Sequence, residues 1–257
     1  MEVVTLRVWS SAMILVLYLL LTAPKQLALH KLIDIKYFVG TGIFSIIFFN
    51  YCLFTAIEIS SIPVATALLY TGPMFVTIFS FFLFKESLTR VKILSLFITL
   101  FGTSLVVGLI PFDKNAFKVG AIIFGIGSGI GYALYSIFSK YALVKYSSLS
   151  ITTFTFLTAA IALIPFFPYR EKAGLLMDPM VLMYAFGLGL LPTAVAYIVY
   201  TYGLNQTEAS KAAILTTIEP VVATLIGITI FTEPFSIFQM IGMLCIIGAV
   251  IIVQLYR

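Results

Sequence analysis

An acidic residue lies inside an apolar stretch that is long enough to cross a bilayer. The stretch 209–231, ASKAAILTTIEPVVATLIGITIF, carries Glu219 and Pro220 near its middle. A carboxylate at the centre of a bilayer costs roughly 2.5 to 3.5 kcal/mol on insertion scales, so such groups usually face a cavity or a partner. Two interpretations follow. Either Glu219 contacts a cation or carries a coupling proton, or it is a buried, largely neutral carboxyl group bonded to a neighbouring helix.

Residues with hydrogen-bonding side chains lie in two further apolar stretches. Asn50 and Tyr51 are adjacent in one of them, and Tyr197 and Tyr200 lie one helical turn apart in the other. Aromatic rings with hydroxyl groups suit the recognition of amphipathic metabolites. Tyrosines also fill helix contacts and interfacial belts, so each of these residues has a purely structural alternative.

A glycine-rich segment, GIGSGIGYALYS at 125–136, carries Tyr132 and Tyr135. Helical spacing places the two tyrosines on one face, which makes both candidates for substrate contact. The glycines allow either close packing of helices or flexing of the helix that carries them.

Polar residues precede two prolines that are expected to kink their helices. Tyr70 and Thr71 come before Pro73, and Thr216 comes before Pro220. A proline removes a backbone N–H and frees a carbonyl one turn back, which then needs another partner. The polar side chains can bond a ligand there, or they can bond back to carbonyls of their own helices.

The composition indicates a polytopic membrane protein. Hydrophobic residues make up 61% of the 257 residues and charged residues 10%, which leaves too little polar surface for a soluble globule. The fifteen Lys and Arg residues are scattered singly, so the net charge of +5 reflects topology and not nucleic-acid binding. We predict an all-α bundle of about nine membrane-spanning helices, at 5–23, 37–57, 61–84, 91–110, 119–143, 148–167, 180–204, 209–231 and 237–256. A signal peptide is the alternative for the first of them, although no convincing cleavage site follows.

The distribution of positive charge predicts the orientation. Ten of the Lys and Arg residues fall on one side of the predicted bundle and five on the other. Cytoplasmic loops carry the excess of Lys and Arg, so the ten-residue side should be cytoplasmic. This places the C-terminus in the cytoplasm and Met1 outside.

The chain contains an internal repeat. A shift of 147 positions, which is 220 minus 73, lays Pro73 on Pro220 and Glu86 on Glu233. We therefore predict a first repeat at 1–112 with four helices and a second at 113–257 with five, in which the helix 119–143 has no counterpart. Two consecutive five-helix repeats have opposite orientations, and this is the inverted-repeat plan of secondary transporters.

The paired segments resemble a known family. LLYTGPMFVTIFSFFLFKESLT at 68–89 and LTTIEPVVATLIGITIFTEPFS at 215–236 are similar to the two copies of the EamA domain of the drug/metabolite transporter superfamily. Each copy has a proline followed thirteen residues later by a glutamate, and the resemblance covers nearly the whole chain. It implies ten helices, cytoplasmic termini and a central cavity through which small metabolites pass. This chain departs from that pattern in lacking the first helix of the first repeat.

The resemblance implies a secondary transporter that exports or exchanges small metabolites or drugs by alternating access in a prokaryotic cytoplasmic membrane. The alternatives are a channel, a non-transporting membrane interaction protein, and an incomplete, inactive carrier. An enzyme is disfavoured, because His30 is the only histidine and no H-E-x-x-H or Asp-rich motif is present. We expect a small-molecule substrate and membrane lipid as partners, and no nucleic acid, metal or cofactor. Substrate identity, proton coupling and homodimer formation stay open.

Overall fold

The described residues are helical throughout the bundle. A computed structural model describes residues 1–109, 118–232 and 234–255, and it contains no β-strand within those ranges. The predicted all-α membrane fold is therefore confirmed.

Nine helical spans lie within the described residues, and we label them α1 to α9 in chain order. Eight of them have 19 to 28 residues and are apolar enough to cross a membrane. The exception is α4, whose 17 residues are at the lower end of the length that spans a bilayer, about 17 to 25 residues. The spans are α1 Glu2–Thr22, α2 Leu32–Ile59, α3 Ile62–Phe84, α4 Arg90–Val106, α5 Val119–Ala142, α6 Ser148–Phe166, α7 Pro179–Gln206, α8 Ala209–Phe231 and α9 Ile237–Leu255.

The observed bounds follow the predicted ones closely, with one extension. Span α2 begins at Leu32, five residues before the predicted start, because a 3-10 turn and the short helix Ile35–Val39 lead into it. The predicted ends of α4 and α9, Ile110 and Tyr256, lie outside the described residues. Short helical turns occupy the connections, at Pro24–Leu27, Tyr169–Lys172 and Ala173–Leu176.

Backbone irregularities recur at the 147-residue shift of the sequence repeat. Both α3 and α8 end in a residue with left-handed backbone conformation, Lys85 with φ 56° and Thr232 with φ 54°. Spans α2 and α7 each contain a π-helical segment, Gly40–Ile47 and Leu190–Val195, and these overlap when one is shifted onto the other. The repeat is thus present in the local backbone as well as in the sequence.

The chain forms two compact units that do not coincide with the two predicted repeats. Unit 1 contains residues 1–50 and 134–206, and unit 2 contains residues 51–133 and 207–257. Two of the three boundaries fall inside α2 and α5, and the third falls between α7 and α8. Each unit therefore draws on both halves of the sequence.

Unit 1 is built around α1. This helix packs against α6 and α7, and Val8, Leu15 and Phe156 form part of one buried cluster with Tyr135. The Trp9 indole N–H donates to the carbonyl of Ala160 at 3.0 Å, which fixes α1 against α6. The predicted first span is therefore an integral part of this unit.

A buried carboxylate joins the beginning of α2 to the α5–α6 junction in unit 1. Asp34 is 1% exposed and accepts hydrogen bonds from the Lys145 ammonium (2.8 Å) and the Tyr146 hydroxyl (3.0 Å). The bond to Asp34 raises the pKa of Lys145, because the carboxylate favours its charged form. Burial raises the pKa of the Tyr146 hydroxyl. The stabilisation from Lys145 is complete below the ordinary lysine pKa and disappears only as pH rises through the raised value.

Charged side chains also fix the beginning of α8 in unit 2. The Glu86 carboxylate accepts the backbone N–H groups of Ala209 (2.7 Å) and Ser210 (3.1 Å), and it thereby caps the helix. Lys92 is 2% exposed and pairs with Glu208 at 2.7 Å. The repeat partner of Glu86, Glu233, lies outside the described residues.

Candidate functional site

Two spans of unit 2 are interrupted at the positions where the sequence predicts proline kinks. Helix α3 consists of Ile62–Leu69 and Gly72–Phe84, with Tyr70 and Thr71 in a turn between them. Helix α8 has a 3-10 segment, Thr216–Ile218, between its two α-helical parts. Pro73 and Pro220 lie in the first turn of the second part in each case. Interrupted helices inside a membrane have backbone groups that need other partners.

Glu219 begins the second part of α8, and its side chain is exposed. Within the described part of the chain no hydrogen bond or ion pair holds its carboxylate, so the expected bond to a neighbouring helix is not observed. Its carboxylate lies near the phenol of Tyr70, at the interruption of α3. Glu219 is therefore a carboxylate that is free to meet a cation or a proton.

Tyr132 of α5 contacts both interruptions. Its hydroxyl is 2.8 Å from the hydroxyl of Thr216 in α8. Thr216 donates its single proton to the carbonyl of Ala213 (2.8 Å), so Tyr132 donates to Thr216. The Tyr132 ring also lies against Gly72 of α3, where an added Cβ would be 2.8 Å from a ring carbon.

Close packing accounts for part of the glycine-rich segment. A Cβ at Gly129 would lie 2.6 Å from the Thr71 hydroxyl, and one at Gly125 would lie 2.5 Å from the side chain of Leu68. The Thr71 hydroxyl bonds back to the carbonyl of Leu68 at 2.6 Å. These glycines let α5 approach the interruption of α3 closely.

Tyr51, the remaining candidate in unit 2, is separate from these residues. Its side chain is 51% exposed, and its ring packs edge-on against Phe124 with centroids 6.1 Å apart. No contact in the described part of the chain joins Tyr51 to the two interruptions.

The tyrosine candidates of unit 1 form a packed cluster. The rings of Tyr135 and Tyr197 are perpendicular, with centroids 4.8 Å apart. The Tyr135 hydroxyl bonds the hydroxyl of Thr201 (2.6 Å), and the Tyr200 hydroxyl bonds that of Ser136 (2.6 Å). Tyr135 is 4% exposed, so its hydroxyl serves packing in this conformation. Tyr132 and Tyr135, although close on α5, make their hydrogen bonds in different units.

Asn50 has a charged partner that the sequence analysis missed. The Arg7 guanidinium donates through Nη2 to Asn50 Oδ1 at 3.1 Å, and Asn50 donates to the carbonyl of Ile46 at 2.7 Å. The predicted first span, 5–23, already contains Arg7, but the sequence did not indicate its partner. Helix α1 begins at Glu2, which places Arg7 within the span. An arginine inside a run of apolar residues was the available signal.

The described ranges contain no visible site for a metal ion. No group of three or more His, Cys, Asp or Glu side chains there is arranged to hold a metal ion. The chemistry that these residues offer is hydrogen bonding, proton exchange and charge pairing.

Comparison with known proteins gives relatives that are named as transporters. An uncharacterized transporter of Archaeoglobus fulgidus is 34% identical over 197 residues, which are 77% of this chain and 68% of the relative. The uncharacterized transporter YetK of Bacillus subtilis is 26% identical over 82% of this chain and 64% of its own length. The uncharacterized inner membrane transporter YicL of Salmonella typhimurium is 24% identical over 77% of this chain and 66% of its own length.

A solved crystal structure shares the fold. It covers 99% of this chain and 87% of its own, with a TM-score of 0.77 and 18% identity. The model of the EamA-like transporter family matches residues 1–108 and 119–255. Since these segments include all nine spans, this multi-pass membrane protein belongs to the EamA-like transporter family.

Proposed function

We propose that this chain is a secondary transporter that exports or exchanges small metabolites or drugs by alternating access. Its place is the cytoplasmic membrane, with two repeats of inverted orientation and the C-terminus in the cytoplasm. Membership in the EamA-like transporter family supports this proposal, as do the relatives named as transporters. The name of the Salmonella relative, an inner membrane transporter, supports the location.

The observation that carries the proposal is the pair of interrupted spans in unit 2. Transporter sites near the bilayer midplane are typically formed by discontinuous helices, whose ends and freed backbone groups bind substrate or coupling ions. Here the interruptions of α3 and α8 occur at repeat-related positions, and Tyr132 contacts both. A purely structural bundle has no need of two such interruptions with an unpaired carboxylate beside one of them.

We assign distinct roles to the polar groups of this site. Glu219 carries the coupling proton or contacts a cationic group of the substrate, since its carboxylate is exposed and unbonded in the described part of the chain. Tyr70, Thr71, Tyr132 and Thr216 offer hydroxyl groups to polar atoms of the substrate. A substrate that bonds Thr216 would displace the bond from Tyr132, which links occupancy to the contact between α5 and α8.

Thermal unfolding of the purified chain in detergent tests substrate binding. The panel contains amino acids, nucleosides, polyamines, organic acids and cationic drugs, each at two pH values. A ligand at one hundred times its dissociation constant stabilises the folded state by about 2.7 kcal/mol. Solutes that stabilise the chain are then tested for counterflow in liposomes. Saturable counterflow supports a carrier, whereas conductance without counterflow identifies a channel.

The variant Glu219→Gln tests proton coupling. We expect it to abolish uptake driven by a pH gradient and to leave exchange between two pools of the same solute intact, because the amide cannot release a proton. The measurement is uptake of a stabilising solute into liposomes with and without a pH gradient. Glu171→Gln, an exposed change of the same kind in the α6–α7 connection, is the control. Loss of both activities in Glu219→Gln would assign Glu219 to substrate binding or folding instead.

A further inference from the structure

The guanidinium of Arg7 in unit 1 has donor capacity that no described residue uses. Nη2 donates to Asn50, whereas Nε is buried and has no hydrogen-bond partner. The bond from Asn50 to the carbonyl of Ile46 directs Oδ1 of Asn50 toward Arg7. The guanidinium is therefore oriented by a fixed partner, and its Nε–H donor is unused.

Arg7 also lacks a counter-ion in the described part of the chain. The ion pairs observed there join Lys92 to Glu208, Lys145 to Asp34 and Lys172 to Glu2. Arg7 is partly buried within α1, where a charge without a partner is unfavourable. Buried donors without a partner are rare in folded proteins, and each one calls for an explanation.

Residues close to Arg7 along α1 belong to a buried cluster of apolar and aromatic side chains. Val4 and Val8 of α1, which flank Arg7, belong to the buried cluster that includes Tyr135. Tyr197 and Tyr200 pack against the same cluster. A ligand bound to Arg7 here would combine a group that complements a guanidinium with an apolar or aromatic body.

We propose that Arg7 is the anion subsite of the transporter, and that the substrates are small organic molecules that carry a carboxylate. The inference rests on the proposed transport function. The guanidinium can bind both carboxylate oxygens through Nε and the second N–H of Nη2, a geometry that a lysine ammonium does not reproduce. Asn50 acts as a positioning residue that holds the guanidinium in this orientation.

The test uses matched pairs of acids and amides. The full chain is placed in phosphatidylcholine nanodiscs, and its thermal unfolding is followed with acetate, 3-phenylpropanoate and N-acetylphenylalanine, each against the corresponding amide. We expect the acids to stabilise the chain and the amides to have no effect. Acids that stabilise the chain are then tested for counterflow in liposomes, beside neutral and cationic solutes.

Substitutions at Arg7 and Asn50 distinguish the contribution of the guanidinium charge to acid binding from that of its geometry. Arg7→Gln should remove the response to acids, and Arg7→Lys should weaken acid binding by about tenfold or more, which is about 1.4 kcal/mol or more. Asn50→Asp should weaken it as well, because a carboxylate beside Arg7 competes with the ligand. Arg170→Gln, an exposed change in the α6–α7 connection, should leave the response unchanged. If Arg7→Gln does not fold, Arg7→Lys and Asn50→Asp test the inference in its place.

Several outcomes overturn the inference. These are equal effects of acids and amides, no effect of any acid, and an undiminished response in Arg7→Gln or Arg7→Lys. A stabilisation that needs phosphatidylglycerol in the nanodisc and is lost in the Arg7 variants would assign Arg7 to a lipid headgroup. Counterflow of neutral or cationic solutes without counterflow of acids would contradict the carboxylate inference and leave the proposed transport function standing. Absence of counterflow for every solute would contradict the proposed transport function itself.

Discussion

Glu86 and Glu219 lie in the same unit, but their carboxylates differ in the hydrogen bonds that they accept. Glu86 accepts two backbone N–H groups and a serine hydroxyl at the beginning of α8, while Glu219 has no such bond in the described residues. A carboxylate bound by backbone donors is fixed in place. A carboxylate without donors can change its protonation state or partner during a transport cycle. The surroundings therefore separate a structural glutamate from a candidate functional one.

The substitution Glu86→Gln should lower the stability of the folded chain. An amide cannot accept from both backbone N–H groups as a carboxylate does, and loss of a helix cap costs about 0.5 to 2 kcal/mol. For a chain of this size we expect the apparent Tm in detergent to fall by roughly 2 to 8 °C. Glu58→Gln, at an exposed position near the end of α2, is the matched control. An unchanged Tm in Glu86→Gln would show that the cap contributes nothing to stability.

At the scale of elements, α4 and α9 of unit 2 cross closely at two glycines. A Cβ at Gly102 of α4 would lie 2.8 Å from the carbonyl oxygen of Gly242, and one at Gly242 of α9 would lie 2.5 Å from that of Gly102. Small residues permit such an approach in membranes, where packing and not hydrophobicity holds helices together. This crossing packs repeat-related spans against each other, because α4 shifted by 147 positions begins where α9 begins.

Alanine substitutions in α9 should have opposite effects at two glycines. Gly242→Ala forces a methyl group into the crossing, and overpacking of this kind costs about 1 to 3 kcal/mol. Gly248→Ala adds a methyl group where no atom lies within 4 Å, and alanine has a helix propensity about 1 kcal/mol more favourable than glycine. Thermal unfolding in detergent should show a lower Tm for the first variant and an equal or higher Tm for the second. A similar Tm for both variants would argue against this close crossing.

The whole molecule combines a sequence repeat with a different division into compact units. Residues 1–50 and 134–206 form unit 1, so both units contain spans from each half of the chain. Spans α2 and α5 pass from one unit to the other at 50/51 and 133/134. The chain passes between the units a third time at 206/207, in the connection between α7 and α8.

Membrane topology is the prediction at this scale. Ser87 lies in the α3–α4 connection beside the larger group of positive charges, and Gly174 lies in the α6–α7 connection beside the smaller one. In a background without Cys52 and Cys245, we expect Gly174→Cys to react with a membrane-impermeant maleimide in intact cells. Ser87→Cys should react only after permeabilisation, because cytoplasmic loops carry the excess of Lys and Arg. The reverse pattern would invert the topology and place the C-terminus outside.

The sequence alone determined the membrane class, the approximate bounds of the spans, the repeat and the positions of the two interruptions. These features depend on local hydropathy, on the length needed to cross a bilayer and on the backbone restriction of proline, all of which can be read along the chain. The charge pattern was informative about loops but did not reveal the partner of Arg7, because a count of charges does not show which residue of another helix lies opposite.

Only the tertiary structure decided which polar residues meet. Arg7 and Asn50 are 43 positions apart, and Tyr132 and Thr216 are 84 positions apart. The structure also separated Tyr132 from Tyr135 and left Glu219 without the expected helix partner. Such pairings depend on how helices that are distant in sequence pack together. Helical periodicity shows on which face of its helix a residue lies, but it does not show which other helix packs against that face.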